Sequence, residues 1–213
     1  MERNKAVLPL LIVGLLAVLG CSKLSQLANS GSNSHTDDPR PTGDISRSFT
    51  LAGKEWSSNE LKETDIKVDL PGAPADKTPP LPPSYKQVFS AMHIYSYDDK
   101  DFASSYTEMV PTGKKKFTIK ELGDTSMSAM KKQLPDLTYT LDVKSDSNAK
   151  YNGSFTKNGK SFDVRGCCVY KKDAPARVWA VLTLIPKDNP DAQTAGQRII
   201  DSVSFKNSTE VCK

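Results

Sequence analysis

The 213-residue chain is poor in the residues that most often carry chemistry, with only 2 His, 2 Trp and 4 Cys. No HExxH, GxSxG, Walker A or GxGxxG pattern occurs, so zincin, α/β-hydrolase, P-loop and dinucleotide-binding chemistry have no sequence support. CxxC spacing is missing too, which removes the thioredoxin-like motif and the common zinc sites. Neither charge sign dominates: the net charge is +4, too slight for a nucleic-acid-binding surface. No cofactor is called for by any motif, and a hydrolase has no legible nucleophile-base pair to rest on.

One long hydrophobic run is present. Ala6 to Gly20 reads AVLPLLIVGLLAVLG, uncharged, with Arg3 and Lys5 just ahead of it. It is shorter than the roughly 20 residues of a membrane-spanning helix and has the layout of an export signal. Its end, Val18-Leu19-Gly20-Cys21 followed by Ser22, resembles the lipobox of bacterial lipoproteins. The resemblance implies cleavage before Cys21 and lipidation of its thiol, giving a durable membrane anchor. An ordinary signal peptide or an uncleaved anchor are the open alternatives. Ser22 in place of Asp resembles lipoproteins passed on to the outer membrane, facing the periplasm or the cell surface, if the host has one. Loss of Glu2, Arg3 and Lys5 with the signal leaves a charge of +3.

Residues 21–48 are rich in Ser, Asn, Gly, Asp and Pro, without helical or strand period. Such a segment cannot bury enough apolar surface to offset its ordering and reads as a tether; His35 lies in it. The chain thus divides into a signal (1–20), a tether (21–48) and one folded domain (49–213).

An exported domain can keep disulfides. Cys167, Cys168 and Cys212 are an odd number, and the first two are adjacent on a strand, pointing to opposite faces. A Cys167–Cys212 bond is the preferred pairing, because Cys168 falls on the face of Phe162, Val164, Gly166 and Tyr170. Three reduced or merely buried thiols are the alternative.

Within the domain, Ile66, Val68 and Leu70 alternate with polar residues before Pro71-Gly72, the period of a half-buried strand. Pro71 to Ser84 is too proline-dense for regular structure and reads as a polyproline connector. Residues 86–97 and 102–110 form a hairpin around Asp98-Asp99-Lys100-Asp101, placing His93 on one strand face with Phe89, Ala91, Tyr95 and Tyr97. Thr118 and Glu121 form a capping box, but Gly123 weakens the first turn and moves the expected helix start toward Thr125. A strand follows at Tyr139, Leu141 and Val143. Asn158-Gly159 is a type I′ turn signal that sets Phe155 opposite Phe162. Residues 176–185 are apolar on both faces, as in a covered central strand, and Pro190 opens a helix with Ala192, Ala195, Ile199 and Val203 in one stripe. The expected fold is α+β, an antiparallel sheet with helices packed on its faces around a single core.

The VDLPGAP segment (68–74), the antiparallel pair, the middle helix, the NGK-SFDVRG hairpin, the VWAVLTLIP strand and the closing IIDSVSF together resemble the PsbP-like α/β/α sandwich, over about residues 49–205. That resemblance implies a non-enzymatic role, binding or helping to assemble another envelope protein. No metal-binding residue carries over from it.

Several other features have plain structural explanations. His93 reads as a strand-surface histidine. Asp98, Asp99 and Asp101 are weak candidates for a divalent cation, since they lack EF-hand spacing and suit a turn. Lys114-Lys115-Lys116 reads as a solvated loop, with anionic headgroups as a minor alternative, and Asp163 and Arg165 share a strand face and can pair. Besides an envelope-protein binder, the sequence leaves open a small-ligand or metal-ion-binding lipoprotein using a groove near His93 and Asp98–Asp101.

Overall fold

The computed structural model describes residues 55–83, 85–98 and 102–212. The signal, the tether, Cys21, His35, Asp99 and Asp101 lie outside the described residues.

Ten strands and two helices follow in the order β1 (Ser57–Glu60), β2 (Ile66–Leu70), β3 (Ala75–Asp76), β4 (Phe89–Asp98), β5 (Ala103–Pro111), α1 (Ile119–Gln133), β6 (Thr138–Val143), β7 (Asn148–Lys157), β8 (Lys160–Lys171), β9 (Arg177–Pro186), α2 (Pro190–Ser202) and β10 (Ser204–Phe205) among the described residues. They build an antiparallel seven-stranded sheet, β3-β4-β5-β9-β8-β7-β6, and a separate three-stranded sheet, β1-β2-β10. Helix α1 lies over β6, β7 and β8, whereas α2 packs on β9, β8 and β2. The architecture is the α+β arrangement that the sequence pattern predicts, with helices on both faces.

Strand β9 is central in the large sheet, as its two apolar faces require. Val178, Leu182 and Leu184 enter one core with Met127 and Met130 of α1. Trp179 and Val181 enter the other with Ala195 and Ile199 of α2 and with Ile66, Val68 and Leu70 of β2. The domain therefore has two cores rather than the expected single one. The half-buried strand 66–70 is the reason: it joins the small sheet and covers the second face together with α2.

Local chemistry explains the boundaries. Asn158 (φ 52°) and Gly159 (φ 75°) both occupy the left-handed region that a type I′ turn demands, and Phe155 stands opposite Phe162 with their rings stacked at 5.1 Å. The Thr118–Glu121 capping box is formed in both directions, and α1 starts at Ile119, not near Thr125. Gly123 does not break it because Leu141 of β6 occupies the space a side chain would need: a Cβ at Gly123 would come within 2.6 Å of Leu141 Cδ1. The lost propensity is offset by close helix-sheet packing.

Two further differences arise at β4. A bulge between Phe89 and Ala91 shifts the register against β5, so Phe89 packs with Met92 and Ile94 in the first core while Tyr95 and Tyr97 pack in the second. A bulge inserts one residue and reverses the alternation, so His93 does not share a face with Phe89. The proline-rich segment also contributes a short strand: Ala75–Asp76 pairs with Tyr95–Ser96. Lys77 N–H continues to Ile94 O at 2.8 Å, and Thr78 Oγ1 accepts from Ile94 N at 2.9 Å. These donors exist because residues 75–78 lie between prolines and keep their own N–H groups.

Candidate functional site

Strand β8 sends Cys167 and Cys168 to opposite faces. Cys167 is bonded to Cys212, with Cα atoms 5.3 Å apart, inside the second core. Cys168 is unpaired and buried in the first core, where burial pushes its thiol up to about 12. A thiol held protonated there is a packing group and not a nucleophile.

Of the groove expected near His93 and Asp98–Asp101, only His93 and Asp98 lie among the described residues. His93 and Asp98 are five residues apart on β4, about 17 Å along a strand, and an odd spacing sends them to opposite faces. Among the described residues, no group of three or more His, Cys, Asp or Glu could hold a metal ion. Lys114, Lys115 and Lys116 are exposed in a loop. Arg165 and Asp163 do pair, at 3.3 Å, and Asp163 also accepts from Gln193 of α2 at 3.1 Å, so this pair fastens α2 to the sheet.

A different cluster is assembled instead. Glu108 on β5 is 2% exposed. Its Oε1 lies 3.1 Å from Arg177 Nε at the start of β9, and its Oε2 accepts from Trp179 Nε1 at 2.8 Å and from Asp65 N at 2.6 Å. Asp65 Oδ2 lies 3.7 Å from the same Arg177 nitrogen. Both oxygens of the carboxylate are thus committed, so Glu108 is a clamp rather than a free base. It joins the large sheet to the loop that enters the small one.

That loop, 61–65, is held from several sides. Leu61 N donates to Ile66 O at 2.9 Å, Thr64 Oγ1 donates to Leu61 O at 2.8 Å, and Tyr95 Oη donates to Lys62 O at 2.9 Å. At its tip Glu63 adopts φ 60°, a conformation costing roughly 1 kcal/mol or more for a residue with a Cβ. Its carboxylate is 66% exposed and stands 3.9 Å from His93 Nδ1, an ion-pair distance too long for a hydrogen bond. The loop borders a cavity of about 550 Å³ lined by residues 60–67 and by Ser204, Phe205 and Lys206. Carboxylates and lysines of both signs rim it, with Ile66 and Phe205 at its base. The rim charges are largely solvent-exposed, Glu60 and Lys67 standing 3.9 Å apart.

Sequence reasoning missed Glu108, Arg177 and Asp65 because they come from three distant strands or loops. The one available signal was charge itself: Glu108 is the one charged residue of β5, and Arg177 opens the largely apolar β9.

No family model matches the chain, and no curated protein matches it. Among solved structures it is similar to the Ran-binding protein Mog1p of Saccharomyces cerevisiae, at 11% identity over 71% of this chain and 96% of that one, with a TM-score of 0.42. It is also similar to LpqN of Mycobacterium tuberculosis, described as involved in cell envelope biogenesis, at 13% identity over 71% and 83%, with a TM-score of 0.37. A third, PA94 of Pseudomonas aeruginosa, a protein of unknown function, shows 15% identity over 67% and 91%, with a TM-score of 0.33. At these TM-scores no residue role passes from those proteins to this chain.

Proposed function

We propose that this chain is a lipid-anchored, non-enzymatic protein of the bacterial cell envelope, and that its sandwich domain binds another envelope protein through the recess beside loop 61–65. The observation that carries the binding part is Glu63, an exposed carboxylate kept at positive φ in a loop held by hydrogen bonds from Thr64 and Tyr95 and to Glu108. Strain of this kind, persisting only where the surroundings enforce it, is a mark of functional loops. The envelope location is supported by the core disulfide Cys167–Cys212, a bond at home outside the reducing cytoplasm, and by the Val18-Leu19-Gly20-Cys21 sequence.

The test is in-cell photo-cross-linking from position 62, beside Glu63 on the same recess, with position 131 on the exposed side of α1 as the control. A reproducible envelope-protein adduct from position 62, absent from 131, is expected; no adduct, or the same set from both positions, removes the proposal. Glu63→Gly relieves the backbone strain while deleting the carboxylate. It is expected to keep or slightly raise stability, by up to about 1 kcal/mol, while weakening the adduct. In parallel, Cys21→Ala is expected to move the protein from the membrane fraction to the soluble one.

A further inference from the structure

The two edges of the seven-stranded sheet are built differently. One edge, β3, is two residues long and sits between prolines, a closed edge by the usual devices. The other, β6, runs for six residues, TYTLDV, with no proline, and its pairing with β7 is unbroken from Thr138↔Ser154 to Val143↔Ala149. It is the longest edge strand among the described residues.

The direction of its free groups follows from the ladder. Lys144 N donates to Asn148 O, in register with the pairs Asp142↔Lys150, Thr140↔Asn152 and Thr138↔Ser154. Hydrogen-bonded pairs alternate along an antiparallel ladder, so these even-numbered residues bond to β7. Tyr139, Leu141 and Val143 therefore turn their N–H and C=O groups outward. Val143 is 44% exposed, one of two large hydrophobics so exposed among the described residues.

We propose that β6 is a self-pairing edge: a second copy of this chain adds its own β6 antiparallel, extending the seven-stranded sheet across a two-fold axis at Thr140. The charges select this occupant and this register. Because only odd-numbered residues offer outward groups, the two strands can shift only in steps that keep odd residues opposite odd ones. With Thr140 opposite its counterpart, Tyr139 faces Leu141, Thr138 faces Asp142, and Asp136 faces Lys144, an opposite-charge pair at each end. Sliding one step one way sets Asp136 against Asp142. Sliding two steps the other way sets Asp142 against itself. The intervening register brings no like charges together in the strand but loses the Asp136–Lys144 pairs. Cross-strand neighbours of opposite charge and of matched apolar character are the favourable ones, and like charges directly opposite are not. Asp136, Thr138, Thr140, Asp142, Val143 and Lys144 are all exposed, so pairing needs no rearrangement of the core.

The experiment uses the full chain and position 140, where the axis passes. Thr140→Cys brings two thiols together across a non-hydrogen-bonded pair, whose Cα atoms lie about 4.5 Å apart, and mild oxidation is expected to give a covalent dimer that wild type does not form. In sedimentation, wild type is expected to show a concentration-dependent dimer. Thr140→Asp and Thr140→Lys are each expected to weaken it by roughly tenfold or more, since each sets like charges opposite one another. An equal mixture of the two variants is expected to restore the dimer as a mixed pair. Circular dichroism on each variant reports folding, and the cysteine variant carries the test if a charged one does not fold. A monomeric wild type with no Thr140→Cys cross-link overturns the proposal. So does a dimer indifferent to both charged variants, or an edge occupied by a different protein that the charged variants release.

Discussion

Glu108 is the residue on which the junction between the two sheets depends. Its carboxylate receives the indole N–H of Trp179 and the amide of Asp65 while facing Arg177, so its removal strands three groups in a nearly dry place. Breaking a buried pair from one side typically costs about 3–5 kcal/mol, mostly from the partner left uncompensated. Glu108→Ala is therefore expected to lower urea stability by about that amount. Glu108→Gln, which keeps the shape and one acceptor, should cost less. Equal urea midpoints for the two variants would show that the charge and hydrogen bonds are not what holds the junction. The contrast with Asp76 is instructive. That carboxylate is exposed, and the Thr78 amide and hydroxyl beside it hold its pKa below the usual 3.8. Its small contribution is present above that ordinary value and lost as pH falls through the lowered one.

At the scale of elements, glycine marks where layers meet most closely. A Cβ on Gly166 of β8 would lie 2.0 Å from the Val181 carbonyl oxygen, whereas one on Gly196 of α2 would lie 2.1 Å from the end of the Ile185 side chain. Backbone cannot step aside as a Cδ1 methyl can. Gly166→Ala is thus expected to cost about 3 kcal/mol or more, and Gly196→Ala distinctly less, because side-chain movement and the helix propensity of Ala, about 1 kcal/mol, offset the clash. Thermal unfolding of the pair checks this; a smaller loss at Gly166 would contradict it. Much of this level was legible in the sequence. The Asn158-Gly159 turn, the Thr118 cap and the two-faced strand β9 are local patterns with local causes. What was not legible has non-local causes. Gly123 looks like a helix breaker until Leu141, eighteen positions on, is seen to fill its place. The bulge that turns Phe89 away from Tyr95 leaves no mark in composition, and β10 is two residues long, too short to carry a period. The candidate site was less legible still: Glu108 meets Asp65 across 43 residues and Trp179 across 71.

At the scale of the molecule, one sheet separates two cores, and the disulfide ties the 212 end of the described chain into only one of them. The bond closes a separation of 45 residues, for which the loop-entropy model gives about 4 kcal/mol. Cys212→Ala is expected to lose about that much in urea unfolding, and an unchanged midpoint would mean that the tail packs without the bond's help. Adjacent cysteines on β8 also make the disulfide connectivity a record of how the strand was seated. In the native alignment Cys167 meets Cys212 and Cys168 lies sealed on the other side. A slip by a single residue would exchange every inward and outward side chain of β8, and would present Cys168 to Cys212 instead. The identity of the cysteine bonded to Cys212 therefore reports whether the sheet was laid down in frame.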